Sequence, residues 1–170
     1  LYMYPFITPR GLTISRIGIL ASGGATSQSV KLGMYSNVAD QEDIYPGARL
    51  FQAGELTWGI VEAFTWKEVT GLSQVLPAGK LHWMGLLVNE SIGGSTWAPT
   101  SVVNSLTIQI FGFATTPGPP VTIDGGSIAR GWTVANSGTY AAGLPTTFPG
   151  GGALEGVGET DTPAIGVLIA

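Results

Sequence analysis

The run from Leu81 to Val88 constrains the fold more than any other stretch of the sequence. It follows a Pro77-Ala78-Gly79 turn, is apolar at nearly every position, and ends at Asn89-Glu90. A strand with one face in water alternates apolar and polar residues, whereas this run does not alternate. It therefore predicts a central strand that is covered on both faces, with Trp83 in the core.

Turn-forming residues leave little room for helices. The chain has 26 Gly and 11 Pro among 170 residues, and Gly, Pro, Ser or Thr interrupts almost every window of ten. This length suits one domain with a substantial core. Short strands joined by turns predict an all-β fold, an antiparallel β-sandwich of jelly-roll or Greek-key type with eight or nine strands.

Two local patterns refine the strand predictions near the start of the sequence. The alternation of Leu12 and Ile14 changes phase at Ile17 and Ile19, which predicts a β-bulge near Arg16. Pro5 lies within the first apolar run and predicts an edge strand, because proline cannot donate a ladder hydrogen bond.

The last third of the sequence determines the domain organisation. Residues 116–163 are rich in Gly and Pro, and residues 164–169 form an apolar final segment. Such a segment needs a sheet to join, so we expect it to return and pair as the final strand. The Gly/Pro-rich stretch is then an internal crossing within a single domain, 1–170. Because the sequence starts at Leu1 rather than Met, we expect a processed or excised part of a longer protein.

Charge and composition exclude several classes of function. The net charge is -4 and the seven basic residues are scattered, which argues against nucleic-acid binding. The absence of cysteine excludes disulfides and thiolate zinc sites. No apolar run reaches membrane-spanning length and no signal peptide is present, so we expect no membrane insertion. Only 11% of the residues are charged, which favours a surface covered by neighbouring chains in an assembly.

No catalytic or metal-binding constellation is visible. His82 is the only histidine, and the interpretation we prefer is a partly buried ring bonded to a carbonyl or hydroxyl. No Gly-x-Ser-x-Gly elbow accompanies it. The sequence therefore predicts a protein that is not an enzyme and that uses no cofactor.

An acidic loop offers a possible calcium site. Asn37, Asp40, Glu42 and Asp43 are oxygen donors of the kind that Ca²⁺ prefers. Their spacing does not fit the EF-hand pattern, so a solvated acidic loop is the preferred interpretation, and no metal is predicted.

Loop aromatics provide the functional prediction. Tyr45, Trp97 and Trp132 lie beside Gly, Pro or Ser, and Asp40 and Asp43 share a loop with Tyr45. A sugar ring can stack its C–H face on an aromatic side chain while carboxylates accept its hydroxyls. These five residues are the candidate ligand-binding set, and core or rim packing is the alternative for each ring.

The order of several short motifs resembles a known module. The motifs are Leu12-Thr13-Ile14-Ser15-Arg16-Ile17-Gly18-Ile19, Val30-Lys31-Leu32-Gly33-Met34-Tyr35-Ser36, Tyr45-Pro46-Gly47, Leu76-Pro77-Ala78-Gly79 and His82-Trp83. Together with Leu144-Pro145-Thr146-Thr147-Phe148 they resemble a jelly-roll module of tailed-bacteriophage virion-surface proteins, such as tail-fibre and receptor-binding proteins. His82 departs from that pattern, in which an aromatic residue precedes the Trp.

The resemblance implies a structural protein at the virion surface that contacts other virion proteins and forms a homotrimer if it belongs to a fibre. It supplies no catalytic residue. The leading expectation is a non-catalytic receptor-binding module of a tail fibre or spike that attaches to host glycan. The alternative is a capsid or tail decoration protein with an architectural role. A depolymerase is the third possibility, although it would need two carboxylates placed across a sugar bond.

Overall fold

Antiparallel strands make up most of the part of the chain that the computed structural model describes. The structure describes residues 1–21, 28–38, 45–58, 65–89, 132–134, 140–154 and 165–169. The described elements are β1 (Tyr2–Thr8), β2 (Leu12–Ala21), β3 (Gln28–Asn37), β4 (Pro46–Trp58), β5 (Thr65–Val69), β6 (Gln74–Leu76), β7 (Lys80–Val88), β8 (Trp132–Thr133), β9 (Ala153–Leu154) and β10 (Ile165–Ile169), with one 3₁₀ turn at Tyr140–Ala142.

These strands form two sheets packed face to face. The large sheet has six strands in the order β4-β3-β7-β1-β8-β9, and the small sheet has the order β10-β2-β5 with β6 also paired to β2. Every described strand pair is antiparallel. The predicted all-β, antiparallel sandwich is confirmed. The predicted central strand is β7, which lies between β3 and β1.

The core between the sheets is built from alternate residues of both. On β3 the side chains of Val30, Leu32 and Met34 are fully buried. They belong to a layer of buried side chains contributed by both sheets. Its members are Tyr4, Ile14, Ile17, Ile19, Val30, Leu32, Met34, Phe51, Leu56, Leu76 and Leu86.

The other face of the large sheet is covered by residues 140–152, here called the cover segment. Trp83 and Tyr35, both fully buried, pack on this face against Leu144 and Phe148 of the cover segment. At Gly85 an added Cβ would lie 2.8 Å from the Tyr35 ring, so the ring closes directly over the strand. Apolar layers on both sides explain why β7 lacks alternation, and they confirm Trp83 as a core residue.

Backbone hydrogen bonds fasten the cover segment to β4. The amide of Arg49 donates to the carbonyl of Thr146 at 2.8 Å, and that of Phe148 donates to Gly47 at 2.9 Å. The hydroxyl of Tyr35 donates to the carbonyl of Pro145 at 2.7 Å. This part of the predicted 116–163 crossing is therefore a layer of the core, while residues 116–131, 135–139 and 155–163 lie outside the described residues.

The predicted bulge occurs one residue from its expected position. Opposite β10, Leu168 pairs with Arg16 but Ile169 pairs with Ile14, so Ser15 is the extra residue. The insertion lets Ile14 and Ile17 face the same core although their sequence parity differs; both are at most 1% exposed. A bulge near Arg16 is confirmed.

The edge prediction for β1 is wrong in part. Tyr2 and Met3 pair with β8 on one side and with β7 on the other, so the start of the strand is internal to the sheet. The described pairing with β8 ends before Pro5. At Pro5 the structure describes one neighbouring strand, β7. Proline is tolerated where a ladder bond on one side is dispensable.

The final strand returns to the body of the fold. β10, expected over residues 164–169, pairs antiparallel with β2, and Val167 packs against the core between the sheets. The alternation of apolar and polar residues over 102–113 predicts a further strand, which lies outside the described residues.

Candidate functional site

Tyr45 and Trp132, two of the predicted ligand-binding residues, lie against each other. Their ring centroids are 4.7 Å apart at an interplanar angle of 70°, and Phe148 contacts Tyr45 in the same edge-to-face manner at 5.2 Å. The Tyr45 hydroxyl donates to the carbonyl of Pro149 at 2.8 Å and accepts from the amide of Gly152 at 3.2 Å. Both rings are half-buried, so this cluster packs the cover segment onto the sheet.

The remaining predicted residues, Trp97, Asp40 and Asp43, lie outside the described residues. The structure thus brings together two of the five candidates. Within the described ranges, no three His, Cys, Asp or Glu side chains are grouped closely enough to hold a metal ion. None of the described segments is a helix long and apolar enough to cross a membrane.

A different aromatic side chain forms an exposed surface on the small sheet. Trp66 is 44% exposed, and its indole Nε1 donates to Oε2 of Glu68 at 3.0 Å. The other oxygen of Glu68 accepts from the Arg16 guanidinium at 2.8 Å, which is also an ion pair. We call this group, with Gly18 beneath it, the Trp66 platform.

The register between β2 and β5 sets the position of the Trp66 platform. β2 pairs with β5 so that Gly18 lies opposite Glu68 and Leu20 opposite Trp66. A Cβ on Gly18 would lie 2.7 Å from the Trp66 ring and 2.5 Å from the carbonyl oxygen of Lys67. The indole therefore rests directly on the backbone of β2, on the face of the small sheet away from the core.

The ionic groups of the platform fix one another. The hydrogen bond from Trp66, followed by that from Arg16, holds the pKa of the Glu68 carboxyl below its usual range. Glu68 thus stays ionised at neutral pH and accepts from both neighbours at once. Two partners restrict its rotamers and orient the indole.

Sequence reasoning missed Trp66 as a functional candidate, although a signal was present. Trp66 and Glu68 have one parity in β5, while Lys67 and Val69 have the other. Val69 packs against the core, so Trp66 points outward with the carboxylate.

A cleft opens at one end of the sandwich, between the ends of β3 and β4 and the turn that joins β6 of the small sheet to β7 of the large sheet. We call it the mouth cleft; its volume is about 700 Å³. It is lined by Ser36, Asn37, Val38, Leu50, Phe51, Gln74, Val75, Leu76, Pro77, Gly79, Lys80, Leu81 and His82.

The imidazole of His82 lies in this cleft, and its two nitrogens have no regular hydrogen bond to the described residues. The residue is 3% exposed, and neither ring nitrogen has a partner among the described residues. Burial lowers the pKa of the imidazole. The nearby carbonyl of Pro77 raises this pKa and so opposes the shift in part. The ring and this carbonyl do not meet the geometry of a regular hydrogen bond. The predicted burial is confirmed, and the predicted carbonyl partner is present only as a weak contact with Pro77.

Thr8 holds the turn that carries Lys80 and His82. Its buried hydroxyl donates to the carbonyl of Pro77 at 2.6 Å, with that of Lys80 at 3.2 Å as a second acceptor. The amide of Gly79 donates to the carbonyl of Thr8 at 2.6 Å. Gly79 has a φ of 65°, which favours glycine. The rim of the cleft at β7 is therefore rigidly positioned.

Comparison with known proteins found no counterpart: no protein-family profile matches the chain, and no curated protein and no solved structure gives a significant match.

Proposed function

We propose that the chain is a non-catalytic attachment module at the surface of a phage particle, where it binds host glycan. The motif order that resembles virion-surface modules supports the location. The observation that carries the binding function is the Trp66 platform, in which an indole 44% exposed is fixed on a sheet beside a carboxylate and a guanidinium.

The chemistry of the platform suits a sugar ring. The apolar C–H face of a pyranose can stack on the indole, and Glu68 and Arg16 can accept from and donate to its hydroxyls. Because the indole is already ordered by its hydrogen bond to Glu68, little side-chain entropy is lost on binding.

The platform is proposed to hold a glycan without cleaving it. Glycoside hydrolysis requires two carboxyl groups placed on either side of the scissile bond. The platform contains one, Glu68, and that group is committed to Trp66 and Arg16. A second ligand-contact region remains a prediction from the sequence. Its residues are Tyr45, Trp97, Trp132, Asp40 and Asp43.

A glycan array probed with the purified protein tests the proposal, with host envelope polysaccharides as ligands. Trp66→Leu keeps an apolar cover over Gly18 but removes the flat ring, so we expect binding to be lost while the melting temperature stays close to that of the parent. Trp66→Phe should retain part of the binding. Ile7→Ala, on the large sheet and 40% exposed, is the matched control and should bind normally.

Two results would contradict this assignment. One is silence of the parent protein across the array. The other is unchanged binding by a folded Trp66→Leu variant, which would make the indole a cover for Gly18 alone.

The second candidate function is decoration of a capsid or tail. It is favoured by β10, the outer strand in the small sheet's order, on which Leu168 and Ile169 are 51% and 44% exposed. Such side chains can pack on a neighbouring subunit. Imaging of intact particles separates the two functions, because a decoration protein contacts several capsid subunits and a receptor binder projects from a distal end. Light scattering of the purified protein tests the proposed trimer.

A further inference from the structure

We propose that the mouth cleft is a second binding site, separate from the Trp66 platform, for a small ligand that carries a carboxylate on an apolar body. In this site Lys80 holds the carboxylate, and the His82 imidazole hydrogen-bonds to the ligand head. The lining residues come from β3, β4, β6, β7 and the segments flanking them, whereas the platform lies on β2 and β5.

The size and walls of the cleft fit a small molecule. Its volume of about 700 Å³ lies within the range typical of ligand pockets. Leu50 and Val75 line it and are 44% and 74% exposed, so apolar surface is available to a ligand without unfolding the core. A carbon ring or chain can cover that surface.

The charge of the lining selects an anion. Lys80 is a lining residue, and the lining residues that the structure describes include no Asp or Glu. Among the described residues, Lys80 forms no ion pair, so its ammonium is available to a ligand. A carboxylate is an anion whose hydrogen bond to an ammonium is strengthened by charge, and it is the anionic group that most small apolar acids and acidic sugars carry.

His82 is the second, independent indication of a ligand. Buried polar groups are nearly always hydrogen-bonded, and an exception requires an explanation. Here both ring nitrogens are buried without a described partner, in a residue that lines the cleft. The neutral ring offers one donor and one acceptor, which a carboxylate oxygen and a hydroxyl of a ligand can satisfy.

Lys80 and His82 are placed to act on the same ligand. They are two residues apart on β7, and side chains at that spacing point to the same face of a strand. A carboxylate held at Lys80 is then close enough to favour the protonated imidazole, so a bound anion should raise the pKa of His82. Because His82 is the only histidine in the chain, its ring signals report on this site alone.

A carboxylate with an apolar face can come from an acidic sugar of a glycan or from a free organic acid. Titration of the whole protein with glucuronate and with cyclohexanecarboxylate, read from the imidazole resonances of His82 by NMR, distinguishes these sources. We expect at least one of the two to shift the resonances and raise the pKa of His82, and neutral glucose to leave both unchanged. Binding of glucuronate alone assigns the site to glycans, and binding of cyclohexanecarboxylate assigns it to organic acids more generally.

Charge variants complete the test. Lys80→Gln should weaken carboxylate binding about tenfold, the loss typical of one charge-assisted hydrogen bond. Lys67→Gln, which removes the same charge from the small sheet, should bind as the parent does. The proposal is overturned if neither acid shifts the resonances, if glucose shifts them equally, or if Lys80→Gln binds like the parent. Trp66→Leu should leave this titration unchanged, so failure of the platform and failure of the cleft are separable.

Discussion

The indole Nε1 of Trp83 donates a 2.9 Å hydrogen bond to Oδ1 of Asn37, and the same oxygen accepts from the backbone amide of Tyr45 at 3.1 Å. Asn37 therefore links the central strand to the chain that leads into β4. Trp83 gains a partner for its polar atom while its ring stays fully buried. At this position the apolar surface of the Trp83 ring is buried and its N–H is hydrogen-bonded.

Removal of either partner should destabilise the fold, by different amounts. Trp83→Ala should cost ~3–5 kcal/mol, as for other large-to-small core changes, and should give largely insoluble protein. Asn37→Ala leaves a buried N–H without this acceptor and should cost ~1–3 kcal/mol. Urea unfolding of Asn37→Ala beside Asn89→Ala, an exposed asparagine at the end of β7, measures the difference. A soluble Trp83→Ala of parental stability would show that the cover does not seal this strand.

The cover segment should contribute to the stability of the whole domain. Phe148, 3% exposed, packs against the large sheet, so Phe148→Ala should cost ~3–5 kcal/mol. Tyr35→Phe removes only the bond to Pro145 and should cost ~0.5–1.5 kcal/mol. Thermal unfolding with Thr147→Ala, an exposed neighbour, as the control checks both. A Phe148→Ala variant that melts like Thr147→Ala would mean that the cover is dispensable.

Stability should fall in mildly acidic solution because of His82. Burial lowers the pKa of the folded imidazole below its unfolded value of 6.5, so the unfolded chain binds more protons between the two values. The unfolding free energy should be constant above about pH 7, fall as the pH drops below about 6.5, and level off below the lowered folded pKa. His82→Phe should be flat over the same window when both proteins are unfolded in urea. An equal slope in the variant would assign the effect to other groups.

Gly18 should tolerate no side chain. Gly18→Ala would place a methyl group 2.5 Å from the Lys67 carbonyl oxygen and against the Trp66 ring, so we expect a loss of ~1–3 kcal/mol and displacement of the indole. Tryptophan fluorescence and thermal melting measure these effects. Gly150→Ala, where an added Cβ meets nothing within 4 Å, is the control. A Gly18→Ala variant with the melting temperature of the parent would show that β2 and β5 separate easily.

The final strand should be required for a soluble fold. Deleting residues 164–170 removes the β10 partner of β2 and uncovers the core near Val167, leaving a paired strand as an open edge. Size-exclusion chromatography should show aggregates. Leu168→Ser, at a 51% exposed position, should remain monodisperse. A monodisperse truncated chain with the parental melting temperature would contradict the expectation.

Local patterns predicted the strands but not what covers them. The apolar run of β7 and the phase change at Ser15 are visible within a few residues, because side-chain parity is a local property. The role of Leu144 and Phe148 was missed because they lie among Gly, Pro and Thr, a composition typical of loops. Their burial depends on contacts with β3 and β4, which lie about a hundred positions away in the sequence. A local sequence pattern cannot predict such distant contacts.

The same distinction applies to the candidate sites. Alternation in β5 could have identified Trp66, since it needs only the parity of neighbouring residues. The contact of Tyr45 with Trp132 required the tertiary fold. The missing partner of His82 was likewise unpredictable, because hydrogen bonding depends on which groups the neighbouring strands β1 and β3 bring near the ring.

The position of β1 between β7 and β8 has a consequence for synthesis of the chain. Tyr4 pairs with Met84, and Met3 with Trp132, so the first strand finds its neighbours late. At about 5–20 residues per second, a ribosome needs roughly 4–16 s to make the residues between Tyr4 and Met84. During that interval the apolar strand Tyr2–Thr8 has no sheet to join, and long-range pairing of this kind slows folding further. The nascent chain is therefore expected to be a client of chaperones that shield apolar segments such as Tyr2–Thr8.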